Sequence, residues 1–219
     1  MYIPKFNEMT DKEEVREFIR SNSFAILITL AGSKSVATHL PLIADSALDA
    51  SGFPQRLFGH MAKANEQWKE ISGEVLAVFH GPHAYISPTW YGVPSQVPTW
   101  NYLAVHVYGK LTLVEQKSEL IQILNDSVTF YESSQPKPWR MDSLDDGLRD
   151  KLLGAIVGFK IEITRVEAKS KLTQNKSDEI QRRVIDVLKQ AGDEPSRQIG
   201  ALMERNLGQA ATITPGMDL

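Results

Sequence analysis

Phe24-Ala25-Ile26-Leu27-Ile28-Thr29-Leu30, turned by Ala31-Gly32-Ser33-Lys34 into Val36 through Ile43, is the stretch from which the fold is read. The first run is short, apolar and rich in branched side chains. The second returns after a small polar turn, so the two form a strand pair. Leu57–His60 reads as a third strand, and Glu74–His80 as a fourth that Pro82–Ile86 continues. Tyr102–Val114 alternates, with Leu103, Val105, Val107, Leu111 and Leu113 on one face. Ile156–Val166 alternates again through Val157, Phe159, Ile161 and Ile163. Few of these strands are separated by a crossover helix long enough for a parallel pair, so the sheet is expected to be mostly antiparallel. Six or more strands with alternating faces favour closure into a barrel. The fold class is mainly β with flanking helices.

The helices sit around that sheet. Thr10-Asp11-Lys12-Glu13 has the pattern of a capping box and predicts a helix start at Thr10. A short helix is expected from Ala64 to Ile71, starting just after Lys63, and others over Lys117–Tyr131 and Leu144–Leu153. Ser87–Thr99 carries Pro88, Pro94, Pro98 and Gly92 and reads as a loop. From Ser177 the chain turns helical, with a second helix over Pro195–Leu207. This gives a barrel domain over residues 1–170, a helical extension over 171–207, and a tail over 208–219 that lacks apolar period and is expected to be disordered.

Composition narrows the function. The 219 residues are 42% hydrophobic and 23% charged, as in an ordinary globular protein. A net charge of -3 supplies no global field for nucleic acid. There is no cysteine, hence no disulfide framework, thiolate metal site or cysteine nucleophile. No signal-like or membrane-length apolar run occurs, and the reading is a cytoplasmic protein without a membrane partner. Neither a Gly-x-Gly-x-x-Gly nor a Walker sequence is present, and Ser87 lacks a nucleophile elbow.

Three places concentrate chemistry. Lys63 follows Gly59-His60 at the predicted helix start, where free N–H groups and a cation would seat a phosphate; the plain alternative is a solvated lysine. Of the five histidines, His80 and His83 span Gly81-Pro82, which breaks the helix a convergent metal pair would use, so no metal is expected. Trp90, Tyr91, Trp100 and Tyr102 suit stacking on a flat ring or packing between subunits. Thr173-Gln174-Asn175, beside Lys169, Lys171 and Lys176, is either an amide-and-cation clamp or a helix cap with solvated lysines.

Four blocks, Gly59–Trp68, Gly81–Tyr91, Val97–Tyr102 and Lys169–Asn175, together resemble the PaiB family of flavin-binding split-barrel bacterial proteins. Met1-Tyr2-Ile3-Pro4-Lys5, Ala37-Thr38-His39-Leu40-Pro41-Leu42 and Ile156-Val157-Gly158-Phe159 fit as well, and the likeness runs to about residue 190. Gly92–Gln96 is the stretch least tied to the pattern. The resemblance implies an antiparallel FMN-binding split β-barrel, a homodimer with FMN near the subunit interface, and a negative regulator of transcription acting on protease production and sporulation. It implies that the backbone of Thr38, His39 and Leu40 approaches the flavin ring. His60, Met61, Ala62 and Lys63 would take the phosphate, and the partner subunit would contribute from Trp100-Asn101 or Gln174-Asn175. The alternative is a small FMN-dependent oxidoreductase of unidentified substrate. A DNA or protein partner fits the regulatory reading. No reading helix is recognisable, however, and the lysines and arginines at 169, 171, 176, 182 and 183 predict weak, salt-sensitive DNA binding at most.

Overall fold

The structure is a computed structural model that describes residues 1–212. Six strands close into an antiparallel barrel: β1 (Phe24–Ala31), β2 (Lys34–Ala44), β3 (Arg56–Ala62), β4 (Ser72–Ile86), β5 (Thr99–Leu113) and β6 (Ile156–Lys171). Their order around the barrel is β1-β2-β3-β6-β5-β4, with β4 returning to β1. The helices are α1 (Lys12–Ser21), α2 (Lys117–Glu132), α3 (Asp146–Leu153), α4 (Asp178–Lys189) and α5 (Glu194–Thr212).

The chain divides into two compact units, interleaved in sequence. A central unit comprises Asp11–Phe79 and His106–Glu167; a terminal unit comprises Met1–Thr10, His80–Val105 and the chain from Ala168 onward. The core of the central unit follows from strand alternation. Ala25 and Leu27 of β1, Leu40 and Leu42 of β2, Leu57 and Met61 of β3, and Phe159 and Ile161 of β6 are all buried. Gly59 lets Phe159, its partner across the β3–β6 pair, lie flat against the wall; a Cβ there would sit 2.7 Å from the Phe159 ring. In the terminal unit α4 and α5 pack on each other through Val184, Leu188, Ile199 and Met203.

Several local readings change. The N-cap of α1 is Asp11, not Thr10: its carboxylate accepts from the Glu13 and Glu14 N–H groups, and a charged acceptor caps more strongly than a hydroxyl. The helix expected over Ala64–Ile71 is one 3-10 turn, Glu66–Lys69, so Lys63 does not open a helix. Side chains of that segment bind elsewhere instead of letting a helix propagate. The Gln67 amide donates to Leu27 O, Thr29 Oγ1 and Val36 O, and β4 begins at Ser72. Strand β6 runs five residues past Val166, because the N-terminal segment pairs with its end through Glu8↔Lys169 and Met9 N–H to Ala168 O. Within Ser87–Thr99 the structure forms a 3-10 turn at Pro88–Tyr91. At the C-terminus α5 carries Gly208–Thr212 in helix, contrary to the expected tail; the remainder, 213–219, lies outside the described residues.

Candidate functional site

Pro41 determines where β2 and β3 separate. The ladder between them covers only Leu42↔Gly59, Ile43↔Phe58 and Ala44↔Leu57. Leu42 N–H donates to Ser23 O on the β1 side, so backbone alternation turns position 41 toward β3. Proline has no N–H to donate there, and the ladder ends. The next residue on that edge, His39, presents a backbone N–H and C=O with no strand partner toward β3 among the described residues. Thr38 and Leu40 turn theirs to β1, opposite Leu27 and Ala25. Across the gap β3 continues through His60–Ala62, paired on its far side with β6. The two strands thus bound a wedge, open at the edge and lined by backbone.

The turn after β3 closes the wedge. Asn65 Nδ2 donates to Thr38 Oγ1 at 2.9 Å, and Asn65 Oδ1 accepts from Gln67 N–H at 3.1 Å. Trp68 Nε1 donates to Lys63 O at 3.0 Å, and Lys63 N–H donates to Ala155 O at 2.8 Å. The Lys63 backbone is therefore fixed from both sides. Its side chain is exposed, and the ammonium has no ion-pair or hydrogen-bond partner among the described residues. His39 is exposed beside Phe24, with ring centroids 6.3 Å apart. Met61 and Leu40 point into the core, so any role of theirs toward a ligand falls to the backbone. Ala62 is exposed, and its carbonyl accepts from Asn65 N–H.

His60 faces the other way. With Pro41 it lines a cavity of about 450 Å³ on the outer side of the barrel wall, covered by α2 and α3. Burial lowers the imidazole pKa below its ordinary 6.5, so the ring is neutral near pH 7. The cavity draws on Leu124, Val128, Trp139, Leu152 and other residues of the segment between β5 and β6. Sequence reading gives that segment two helices and no site.

The remaining candidates, Trp100, Asn101, Gln174 and Asn175, belong to the terminal unit. Trp100 is 52% exposed, with the Tyr85 ring 5.8 Å and the His83 ring 6.0 Å away. A break in the alternation of β4 at Gly81-Pro82 turns His80, His83 and Tyr85 all outward, which brings the two imidazoles to 5.0 Å in a strand rather than a helix. No group of three or more potential metal ligands forms among the described residues. Asn101 is fully buried: its Nδ2 donates to Thr173 Oγ1 at 2.8 Å, and its Oδ1 accepts from the same hydroxyl at 3.1 Å. Gln174 closes its own turn, donating to Ser170 O and accepting from Leu172 N–H, while Asn175 is exposed.

The lysines around the Thr173 turn are engaged rather than solvated. Lys169 is 6% exposed, donates to Tyr2 O and lies over the Tyr102 ring. Lys171 donates to Thr99 Oγ1, and burial lowers its pKa. Lys176 donates to Gln96 and Arg183 to Tyr91 O, while Arg182 faces Asp178. Gly92 lies at φ +65°, where a Cβ would run into the Arg183 guanidinium. The loop least tied to the family pattern is thus held by α4. Tyr91 is 2% exposed, and this ring is already packed.

A closed six-stranded antiparallel barrel with an open edge between β2 and β3 defines the chain as a split-barrel protein of the kind found among flavoproteins. Two solved structures share the fold at low sequence identity. The flavocytochrome Anf3 of Azotobacter vinelandii has a TM-score of 0.58 and 11% identity, covering 78% of this chain and 72% of that one. The FAD and heme binding protein of Mycobacterium smegmatis has a TM-score of 0.57 and 12% identity, covering 75% and 73%. A family model described as "Putative FMN-binding domain" matches residues 1–165. Protease synthase and sporulation protein PAI 2 of Bacillus subtilis is 39% identical over 214 residues, which span 94% of this chain and 98% of that protein. The chain belongs to this family, the PaiB family of split-barrel proteins. No described helix is long and apolar enough to cross a membrane.

Proposed function

We propose that this protein is a PaiB-like FMN-binding homodimer that acts in the cytoplasm as a negative regulator of transcription, governing protease production and sporulation. The carrying observation is the wedge: unpaired backbone at His39, a pinned turn, and an exposed Lys63 on the turn that closes it. These groups fit a flavin mononucleotide. A backbone N–H and C=O suit the polar edge of a flat heterocycle, and the cation suits a phosphate monoester. Thr38, His39 and Leu40 would lie along the ring, and His60 to Lys63 along the chain to the phosphate. A single lysine favours a mononucleotide, because no dinucleotide fingerprint is present to hold a pyrophosphate. When bound, FMN supplies reversible redox chemistry; the protein's part is to hold it and shield it. Replacing Lys63 with Glu should weaken FMN binding ten-fold or more, about 1.4 kcal/mol. FMN titration followed by flavin fluorescence reads this directly, and an unchanged isotherm would assign the phosphate to another group.

Dimerisation rests on apolar surface in the terminal unit. Tyr2, Phe6, Tyr85, Val97 and Trp100 are 46–83% exposed, more than an isolated surface ordinarily leaves in water. An obligate interface should bury more than roughly 2,000 Å² in total. Light scattering at micromolar concentration should give twice the chain mass; a monomer mass would remove the partner subunit from the site. Regulation through direct DNA reading has less support. The cations at 169, 171, 176 and 183 are engaged within the chain and Arg182 is left exposed, so repression would run through a protein partner or a metabolic route. A second reading, a small FMN-dependent oxidoreductase, is favoured by one observation: His60 belongs to the wedge by its backbone and to the cavity beneath α2 and α3 by its ring.

A further inference from the structure

We infer that the cavity between the outer barrel wall and α2–α3 is a binding site for an uncharged, mainly hydrocarbon or aromatic small molecule bearing one or two hydrogen-bonding atoms. At about 450 Å³ it has the size of a small-molecule pocket, not of a packing defect. Most of its wall is apolar, from Pro41, Leu124, Val128, Leu152, Leu153 and Ile156.

The polar groups on the wall decide the class of ligand. Both charged side chains are already engaged: Glu132 accepts from Trp139 N–H at 2.8 Å, and Arg149 is ion-paired with Asp146. Tyr131 shares its hydroxyl with Ser23 at 2.8 Å. Three hydrogen-bonding side chains remain, the His60 imidazole, the Ser127 hydroxyl and the Trp139 indole N–H, none with a hydrogen-bond partner among the described residues. An anion would have to break the Arg149–Asp146 pair, and a cation would have to compete with the Trp139 N–H for Glu132, each at a desolvation cost that a neutral ligand avoids. A neutral one loses nothing and can satisfy the imidazole and the hydroxyl. The neutral form of His60, favoured by its burial, can donate or accept.

The site needs neither Lys63 nor a flavin, so it is separable from the FMN reading. Its position on the same strand as the wedge makes its occupant a candidate substrate or effector for that reading.

The test uses the full-length protein and N-phenyl-1-naphthylamine, an uncharged probe that fluoresces in apolar sites. Saturable binding at one site per chain is expected, with energy transfer from tryptophan that falls in Trp139→Phe. Val128→Trp, which fills the cavity, should weaken the probe at least ten-fold while leaving FMN titration unchanged. Lys63→Glu should do the reverse. The anionic analogue 1-anilinonaphthalene-8-sulfonate should bind more weakly than the neutral probe. Absence of saturable binding, undiminished binding to a folded Val128→Trp, or preference for the sulfonate overturns the assignment. Should Val128→Trp fail to fold, transfer unchanged in Trp139→Phe overturns it equally.

Discussion

Phe159→Ala is expected to lower the stability of the chain by about 3–5 kcal/mol, the range for deleting a fully buried phenyl ring. The ring is 0% exposed, lies opposite Gly59 in the β3–β6 pair, and fills the space that the missing Gly59 side chain leaves. Neighbouring Leu42 also closes on Gly59 and has no route to collapse into the void without moving strand backbone. For a chain of this length the change corresponds to a fall in Tm of roughly 6–20 °C. Phe58→Ala is the control. That side chain lies on the outer face of β3, only partly buried, under the Arg56 guanidinium, and its loss should cost markedly less. Equal losses in the two variants would mean that the interior and exterior faces of β3 are assigned the wrong way round. Because β3 also carries His60 to Ala62, the Phe159 variant should loosen the wedge as well.

What the sequence discloses and what it hides divide along physical lines. The barrel is legible because β1 is a short apolar run closed by a polar turn, while β5 and the first part of β6 repeat apolar side chains at the period of two that one buried face requires. The end of β6 is not legible. Glu167-Ala168-Lys169-Ser170-Lys171 reads as a solvated run, and only pairing with the distant Glu8–Met9 backbone makes it strand. The segment after β3 misleads in the opposite sense. Ala64-Asn65-Glu66-Gln67-Trp68 has good helix composition, yet the Asn65 and Gln67 amides bind β1 and β2, which competes with a further helical turn.

For the candidate site the same rule holds. The block around Lys63 was visible by composition. The reason the site is open there lay in Pro41, a proline inside a strand run, which marks an edge or a break in pairing. Its effect becomes readable once the direction of the Leu42 N–H is known. The cavity behind His60 was hidden, because its walls come from α2, α3 and the chain between them, and no local pattern reports a void.

Asn101→Ala should cost about 2–4 kcal/mol, through a lost hydrogen-bonded pair and a small void together. The Asn101 amide is fully buried and exchanges two hydrogen bonds with the Thr173 hydroxyl, with Met203 Sδ as a further acceptor at 3.3 Å. Thr173 sits at φ +67°, in the left-handed region that a β-branched residue avoids, at a cost of about 1–3 kcal/mol. The Asn101 contact helps hold it there, and with it the turn through Gln174 to Asn175. Truncation therefore removes the clamp and leaves the Thr173 hydroxyl buried without its partner. Asn101→Asp should be at least as damaging, since it places a carboxylate in a site with no counter-charge and removes the donor to Met203. Thermal melting measures the loss, and hydrogen exchange at Leu172 to Gln174 should show protection falling first in that turn. If Asn101→Ala melts within about 0.5 kcal/mol of the parent, the amide is not what fixes the turn. Asn101 would then return to the residues available to a ligand, as the family pattern first suggested.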